Sequence, residues 1–427
     1  MNSYMKSRDE VIHIQNKHLK RQLERIYNNS PFYRKKMDTH GILPGDIRDL
    51  DDLRKFPYTT KDEIIAHNKE LFAVSMKQIQ RLQSSSGTIG NYYVAGYTKT
   101  DLEIWSSCVA ASLEMAGLDS RDILQVAFNY GLFTGGLGFH YGGERLGMAV
   151  IPTSTGSTSR QLDFIEKFQS TVLACTPSYF SYLTEEMRKR HIQAQSLKVA
   201  FLGAEAWGTE LRERLQSQYN IELFDIYGLT EILGPGVACE CGIHDGLHVF
   251  EEHFYPEVVG IESEECCAEG EVGELVLTTL TKEATPLIRY KTRDKTSITY
   301  KRCECGRVEA RIAKITGRID DMLIIKGVNI YPQQVETILL RQREFSSNYI
   351  LVVEREAYLD MAKIFIELES QFQGLDDDKR KEIIGITERM IKQELYISIS
   401  ITIVPEGTIK RSDGKAKRVI DRRKCNA

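Results

Sequence analysis

The sequence predicts an α/β protein: a large N-terminal domain of mostly parallel, helix-flanked sheets with a small β-rich unit, followed by a small mobile α+β C-terminal domain. Three observations carry this expectation. Between residues 100 and 260 short apolar runs alternate with segments of helical periodicity, the βαβ rhythm of a sheet covered on both faces. After Gly270 the runs are joined by turns rather than helices. From about Asp320 helices and strands mix again over a stretch long enough for a separate lobe.

In chain order, Val11, Ile14, Leu19, Leu23 and Ile26 fall at near-helical spacing until Asn28-Asn29-Ser30-Pro31 ends the pattern, so the chain should open on an amphipathic helix. Strands are expected at 122–128, 148–151, 171–175, 197–202 and 221–226, with helices at 158–168 and 178–189. In sheets of this type ligands gather at the C-terminal ends of strands. Gly203-Ala204-Glu205 and Tyr227-Gly228-Leu229-Thr230-Glu231 both fall at such ends. Leu275-Val276-Leu277, 296–301 and 307–312 read as short strands of a β-rich unit at about 261–319. Strands at 322–325, 349–353 and 399–404 and helices at 333–340 and 377–392 follow. The division is therefore 1–319 and 320–427.

At 427 residues the chain exceeds a single compact core. Its 42% hydrophobic and 27% charged residues and net charge of −4 are ordinary for a globular protein and give no basic excess for nucleic acid or an anionic membrane. The first residues lack an apolar signal core, and no run of about 18 apolar residues is present to span a bilayer. Nine cysteines, an odd number, do not suggest a disulfide framework, and a cytoplasmic, reducing location is expected. The oligomeric state stays open, a homodimer being one option.

Five motifs offer chemistry. Ser84-Ser85-Ser86-Gly87-Thr88-Ile89-Gly90 combines hydroxyls with two glycines, so backbone N–H groups and hydroxyls can surround phosphate oxygens; a plain surface turn has the same composition. Glu231 suits magnesium, a hard cation shared with substrate phosphates, and Tyr227 offers a flat face to adenine. A helix-start glutamate and a packed tyrosine are the alternatives. Asp294, in Thr292-Arg293-Asp294, has two acceptor oxygens for the hydroxyls of a ribose, or for an ion pair with Arg293 or Arg289. Gly317-Arg318-Ile319-Asp320-Asp321 has the composition of a hinge, as of a static linker. Lys415 follows Gly414 in a loop able to reach an anion carried by the other lobe, although by itself it is one more lysine of a basic tail.

Cysteines add a separate signal. Cys303-Glu304-Cys305-Gly306 is a tight pair on a turn, and Cys239, Cys241, His244 and His248 supply the other half of a closed, structural Cys/His zinc site, favoured here over free thiols. Cys108, Cys175, Cys266, Cys267 and Cys425 have no comparable setting.

In this order the motifs resemble the signature of adenylate-forming enzymes, the acyl-CoA synthetase superfamily. Asn29-Ser30-Pro31-Phe32-Tyr33-Arg34-Lys35-Lys36, Phe56-Pro57-Tyr58-Thr59-Thr60-Lys61, Tyr130-Gly131-Leu132-Phe133-Thr134-Gly135-Gly136-Leu137-Gly138 and Cys175-Thr176-Pro177-Ser178-Tyr179 are more specific. So are Gly246-Leu247-His248-Val249-Phe250-Glu251-Glu252-His253-Phe254, Thr279-Leu280-Thr281-Lys282-Glu283 and Asp321-Met322-Leu323-Ile324-Ile325-Lys326-Gly327-Val328-Asn329. Over nearly the whole chain they resemble the phenylacetate–CoA ligase type.

That resemblance implies two steps: ATP and an aryl or arylacetic acid give acyl-AMP and pyrophosphate, the C-terminal lobe rotates about Asp320, and coenzyme A then takes the acyl group. It implies that Ser84, Ser85, Ser86, Gly87, Thr88 and Gly90 hold the ATP phosphates. Gly203, Ala204, Glu205, Asp225, Ile226, Tyr227 and Gly228 would form the nucleotide site, with Thr230 at the α-phosphate and Glu231 on magnesium. Asp294 and Arg318 would take the ribose. Lys415, Glu231 and Thr230 would be catalytic. Phe128, Asn129, Phe133, Gly203, Ile226 and Pro235 would line the acid pocket, and Lys326, Gly327, Val328 and Asn329 the coenzyme A face. The implied zinc set is Cys241, His248, Cys303 and Cys305, with Cys239 and His244 as competitors.

Two departures stand out. Where the family usually reads Thr-Thr-Gly-Lys-Pro, this chain reads Thr88-Ile89-Gly90-Asn91-Tyr92, without one hydroxyl and the lysine. A charge-assisted contact contributes roughly 1.5–3 kcal/mol, or about ten- to a hundredfold in affinity. Asn91→Lys should therefore tighten binding of a non-hydrolysable ATP analogue by about tenfold or more in a direct titration. An unchanged or weaker affinity would mean that the loop serves another phosphate partner. The second departure is Asn129, which adds a donor and an acceptor beside Phe128 and makes a polar-substituted ring, or a different acid, credible. Two other functions stay open: an adenylating ligase that passes the acyl group to a carrier-protein thiol or an amine, and a nucleotide-binding homologue of weakened catalysis.

Overall fold

A computed structural model describes residues 5–85, 92–356, 359–412 and 414–423. The first helix, Arg8–Asn29, is capped by Ser7, whose hydroxyl accepts from the Glu10 amide. It buries Val11, Leu19, Leu23 and Ile26 against the core. Ser30 ends this helix and caps the next, Pro31–Thr39, with proline in the first turn where no amide is needed.

The centre of the N-terminal domain is a nine-stranded sheet. Its order is Ile298–Thr299, Arg311–Ile312, Leu247–Val249, Gly234–Glu240, Glu222–Leu229, Val199–Gly203, Val172–Cys175, Ile123–Val126 and Ala149–Ile151. The last five strands are mutually parallel, and from Glu222–Leu229 outward every pairing is antiparallel. Val172–Cys175 and Val199–Gly203 are buried at every residue, as a sheet covered on both faces demands. The parallel half thus follows the apolar runs of the sequence. The stretch 261–319 does not make one sheet. Gly273–Thr279 and Tyr290–Thr296 join Phe254–Val259 in a three-stranded antiparallel sheet, whereas Ile298–Thr299 and Arg311–Ile312 extend the large one. Short strands carry no mark of the partner they choose; long-range pairing decides it.

The helix Thr134–Leu146 was not evident in the sequence, because five of its residues are glycine. Packing explains them: a β-carbon on Gly138 would lie 2.7 Å from Pro235, and one on Gly142 2.5 Å from Val109. Close approach to the neighbouring helix Lys99–Met115, which carries Val109, outweighs helix propensity here.

The C-terminal lobe has its own core, with Ile325, Val335, Phe345, Ile364 and Ile391 among its buried members. A hairpin, Leu323–Ile325 with Val328–Ile330, precedes a four-stranded sheet ordered Ser400–Val404, Leu359–Leu368, Phe345–Glu356 and Val419–Asp421. Helices Pro332–Leu340 and Asp377–Leu395 accompany it. Among the described residues no helix is long and apolar enough to cross a membrane.

Candidate active site and metal cluster

The site forms where the parallel half of the large sheet ends. Gly203 closes one strand, and a β-carbon there would stand 2.6 Å from the Ile226 carbonyl oxygen of the next. On that next strand a β-carbon on Gly228 would sit 1.8 Å from the Gly234 carbonyl oxygen, so only glycine lets the hairpin close behind Tyr227. The turn so formed presents Thr230 and Glu231. Thr230 Oγ1 lies 3.3 Å from Thr134 Oγ1, and Glu231 Oε1 lies 3.4 Å from Lys61 Nζ. Lys282 is buried beneath the turn and donates to the Ile232 carbonyl at 2.8 Å; burial pushes its ammonium down to about 8.

Asp294 is held from two sides. Tyr227 Oη donates to its Oδ2 at 2.6 Å, and Arg318 Nη1 donates to its Oδ1 at 3.2 Å. Burial raises the Asp294 carboxyl to about 6, with the Arg318 charge working against that rise. Arg318 also reaches Asp320 Oδ2 at 3.1 Å, in the short turn of helix Ile319–Asp321 that joins the lobes. Asp225 is buried one residue before Ile226; desolvation, and then the neighbouring Glu240 carboxylate, push it up to about 7.

The C-terminal lobe meets this edge directly. The Ala416 amide donates to Glu205 Oε1 at 2.6 Å, Glu205 Oε2 accepts from the Ser178 amide at 3.0 Å, and Thr176 Oγ1 donates to the Gly414 carbonyl at 3.0 Å. The loop bearing Lys415 is thus docked beside Gly203-Ala204-Glu205, with the lysine itself exposed. Burial raises the Asp321 carboxyl, and the charges of Arg318 and Lys415 pull it back.

Of the expected acid pocket, Phe128 is buried and stacks on Phe139 at 5.6 Å, Ile226 is buried, and Pro235 accepts from the Trp105 indole at 2.9 Å. Phe133 and Asn129 are both exposed, the Asn129 carbonyl accepting from the Gly136 amide. The Lys326-Gly327 turn of the hairpin is exposed with both residues at positive φ; Asn329 is exposed and Val328 half-buried. Ser84 and Ser85 begin the expected phosphate loop, their amides bound to the Leu132 and Tyr93 carbonyls. Ser86, Gly87, Thr88, Ile89, Gly90 and Asn91 lie outside the described residues, as does Cys425. The sequence reading gave no role to Lys61, Lys282, Thr134 or Thr176. All four fall in the segments quoted above as family-specific, which was the available signal.

A second cluster lies in the antiparallel half. Cys241 follows the strand Gly234–Glu240, His248 lies in Leu247–Val249, and Cys303 and Cys305 sit on the turn before Arg311–Ile312. The four ligand atoms lie within 4.8 Å of one another, with Cys241 Sγ 3.8 Å from Cys303 Sγ and Cys305 Sγ 3.5 Å from His248 Nε2. A tetrahedral ion about 2.3 Å from sulfur and about 2.0–2.1 Å from nitrogen spaces its ligands by about 3.8 and 3.5 Å, so the donor set fits zinc. Burial, with the charges of Arg307 and Arg311, pushes the His248 imidazole down to about 3, which keeps it neutral. Burial raises the Cys241 thiol to about 12. The competitors lie elsewhere. Cys239 is packed in the main core, and His244 has its nitrogens against Glu240 and Glu222 at 3.3 and 3.1 Å.

A family model described as AMP-binding enzyme matches residues 98–280, and one described as AMP-binding enzyme C-terminal domain matches residues 327–423. Phenylacetate-coenzyme A ligase of Thermus thermophilus is 44% identical, over 98% of this chain and 98% of that protein. The Escherichia coli phenylacetate-coenzyme A ligase is also 44% identical, over 97% of this chain and 95% of its own length. Among solved structures, 2-hydroxyisobutyryl-CoA ligase in the postadenylation state with 2-HIB-AMP superposes with a TM-score of 0.92 at 23% identity, over 99% of this chain and 92% of that one.

Proposed function

The chain belongs to the family of phenylacetate–coenzyme A ligases, and on that premise we propose that it activates an arylacetic acid with ATP and then transfers the acyl group to coenzyme A. The observation that carries this reading is the meeting of three parts at one sheet edge: the Tyr227–Asp294–Arg318 chain, the Thr230-Glu231 turn and the docked Gly414–Ala416 loop. Tyr227 gives adenine a face, and Asp294, oriented by Tyr227 and Arg318, accepts the ribose hydroxyls. Thr230 donates to the α-phosphate. Glu231 would hold magnesium, which neutralises phosphate charge when bound.

A carboxylate oxygen of the acid attacks the α-phosphorus, the bond to the bridging oxygen breaks, and pyrophosphate leaves with its electron pair. Lys415 stabilises the charge that builds on the α-phosphate. The C-terminal lobe then turns about Asp320 and brings Lys326-Gly327-Val328-Asn329 to the acyl group. The thiol sulfur of coenzyme A, losing its proton, bonds to the acyl carbon and AMP departs. Cys241, His248, Cys303 and Cys305 would hold a structural zinc, and the protein is read as working in the cytoplasm.

Pyrophosphate release across a panel of aryl and arylacetic acids, with and without coenzyme A, tests the proposal. Acid-dependent release, with thioester formed only when coenzyme A is present, is expected. No acid-dependent release would overturn the activity. Adenylate that forms but leaves coenzyme A untouched would move the acceptor to a carrier-protein thiol or an amine.

Asp294 adds a pH signature. Ribose hydroxyls need the ionised carboxylate, and its carboxyl titrates at about 6. The KM for ATP should be flat above pH about 7 and rise toward about tenfold per unit as pH falls below about 6. Folding stability from this group has the opposite sign. Its folded value lies above the ordinary one, so it favours folding below about pH 4 and loses that contribution as pH rises through about 6. Asp294→Asn should weaken ATP binding and abolish the pH dependence of KM; a profile unchanged in the variant would assign the titration to another group.

A further inference from the structure

We propose that Arg214 is a latch that holds the C-terminal lobe in its adenylating orientation, a positioning role that rests on the two-step reading above. Arg214 lies on the N-terminal-domain helix Thr209–Gln218, with a side chain only 12% exposed. Its guanidinium donates to the carbonyls of Leu340 at 2.8 Å and Gln342 at 3.0 Å, and to that of Phe345. All three belong to the other lobe: Leu340 ends the helix Pro332–Leu340, Gln342 follows its cap, and Phe345 opens the strand Phe345–Glu356. The last carbonyls of a helix have no partner within it, and that end carries partial negative charge. An arginine from one domain therefore caps a helix of the other. Leu340 enters the same contact and packs into the N-terminal cluster that holds Leu211 and Leu215.

Other arginines also cross the boundary, with different consequences. Arg188 reaches Glu369 at 3.2 Å but is 38% exposed, so water can replace its partner. Arg411 reaches Glu185 at 2.9 Å and also Glu367 of its own lobe at 2.8 Å, a contact that rotation leaves intact. Arg214 has its carbonyl partners and the nearby Glu369 entirely on the moving lobe, so rotation breaks the set together. The surrounding cleft is lined by Ser181, Thr184, Ser346, Ser347 and Asn348, polar enough for water to take over the freed groups. The contact thus biases the lobe rather than locking it. No residue assigned to nucleotide, acid or coenzyme A is among the partners of Arg214.

The two half-reactions separate this role from a merely structural one. In Arg214→Ala, acid-dependent pyrophosphate exchange should fall about tenfold through kcat, because fewer molecules occupy the adenylating orientation. The KM for ATP should stay within about twofold, since the N-terminal domain holds the nucleotide in either orientation. Preformed arylacetyl-adenylate should react with coenzyme A at the wild-type rate or faster. Arg214→Lys, which keeps the charge without the planar fork, should fall between the two. It also serves as the test if the alanine variant fails to fold, with the same split expected at smaller amplitude. Equal loss in both half-reactions, or loss in neither, would overturn the latch. A wild-type protein without acid-dependent exchange would instead overturn the ligase reading on which it stands.

Discussion

Replacing Lys415 by alanine is expected to lower acid-dependent pyrophosphate exchange by about a hundred- to a thousandfold while leaving the reaction of a preformed acyl-adenylate with coenzyme A near the wild-type rate. The loop around it is anchored on both sides, through Gly414 to Thr176 and through Ala416 to Glu205. The backbone therefore delivers the lysine to the N-terminal edge without depending on its ammonium group. In the role proposed for it, a cation brought this way acts only while negative charge accumulates on the α-phosphate. Once pyrophosphate has left and the lobe has turned, it has no charge to stabilise. Thermal unfolding of the variant should match wild type, because the side chain is exposed. Loss of both half-reactions together would place the role of Lys415 in folding or docking, and a normal exchange rate would point to Lys417.

The second large effect concerns the metal cluster. Protein purified without added metal is expected to carry about one zinc per chain. Cys303→Ser should lose the ion and lower Tm by on the order of 5–10 °C, since a bound zinc would tie Cys241, just after the strand Gly234–Glu240, and the strand Leu247–Val249 to the turn before Arg311–Ile312. The strand Glu222–Leu229, which carries Tyr227, pairs with the first of these strands. The apparent ATP requirement should accordingly rise although no catalytic group is removed. Elemental analysis and calorimetry decide it. Less than about a tenth of an equivalent of zinc, with Cys303 and Cys305 both alkylated in the folded protein, would make these residues ordinary thiols.

Much of this architecture was legible from neighbouring residues alone. Alternation between apolar runs and helical stretches located the parallel strands, because a strand buried on both faces must be apolar throughout, as Val172–Cys175 is. The helix Thr158–Phe168 was legible to its end residues. Leu359–Leu368, a strand central to the C-terminal sheet, was expected in the mixed βαββαβ lobe but not located, although Ala362, Ile364, Ile366 and Leu368 alternate and are buried. That signal was present at period two. No such signal existed for Thr134–Leu146, whose glycines argue against a helix until Val109 and Pro235 are seen to need the space.

The sequence by itself determined the fold class, the family and the residue types available at the strand ends, because periodicity and short motifs are properties of adjacent residues. Only the tertiary structure decided which groups meet. Residue types and spacing alone offered six candidates for the zinc-type donor set and the family resemblance pointed to four; antiparallel pairing brings those four, Cys241, His248, Cys303 and Cys305, into one place and turns the competitor His244 toward two carboxylates. The same holds for Asp294, whose partners are Tyr227 and Arg318 rather than the adjacent Arg293, and for Arg214, whose carbonyl partners lie more than a hundred residues away. Hydrogen bonds and ligand geometry are short-ranged in space, and chain order does not fix which side chains come within that range.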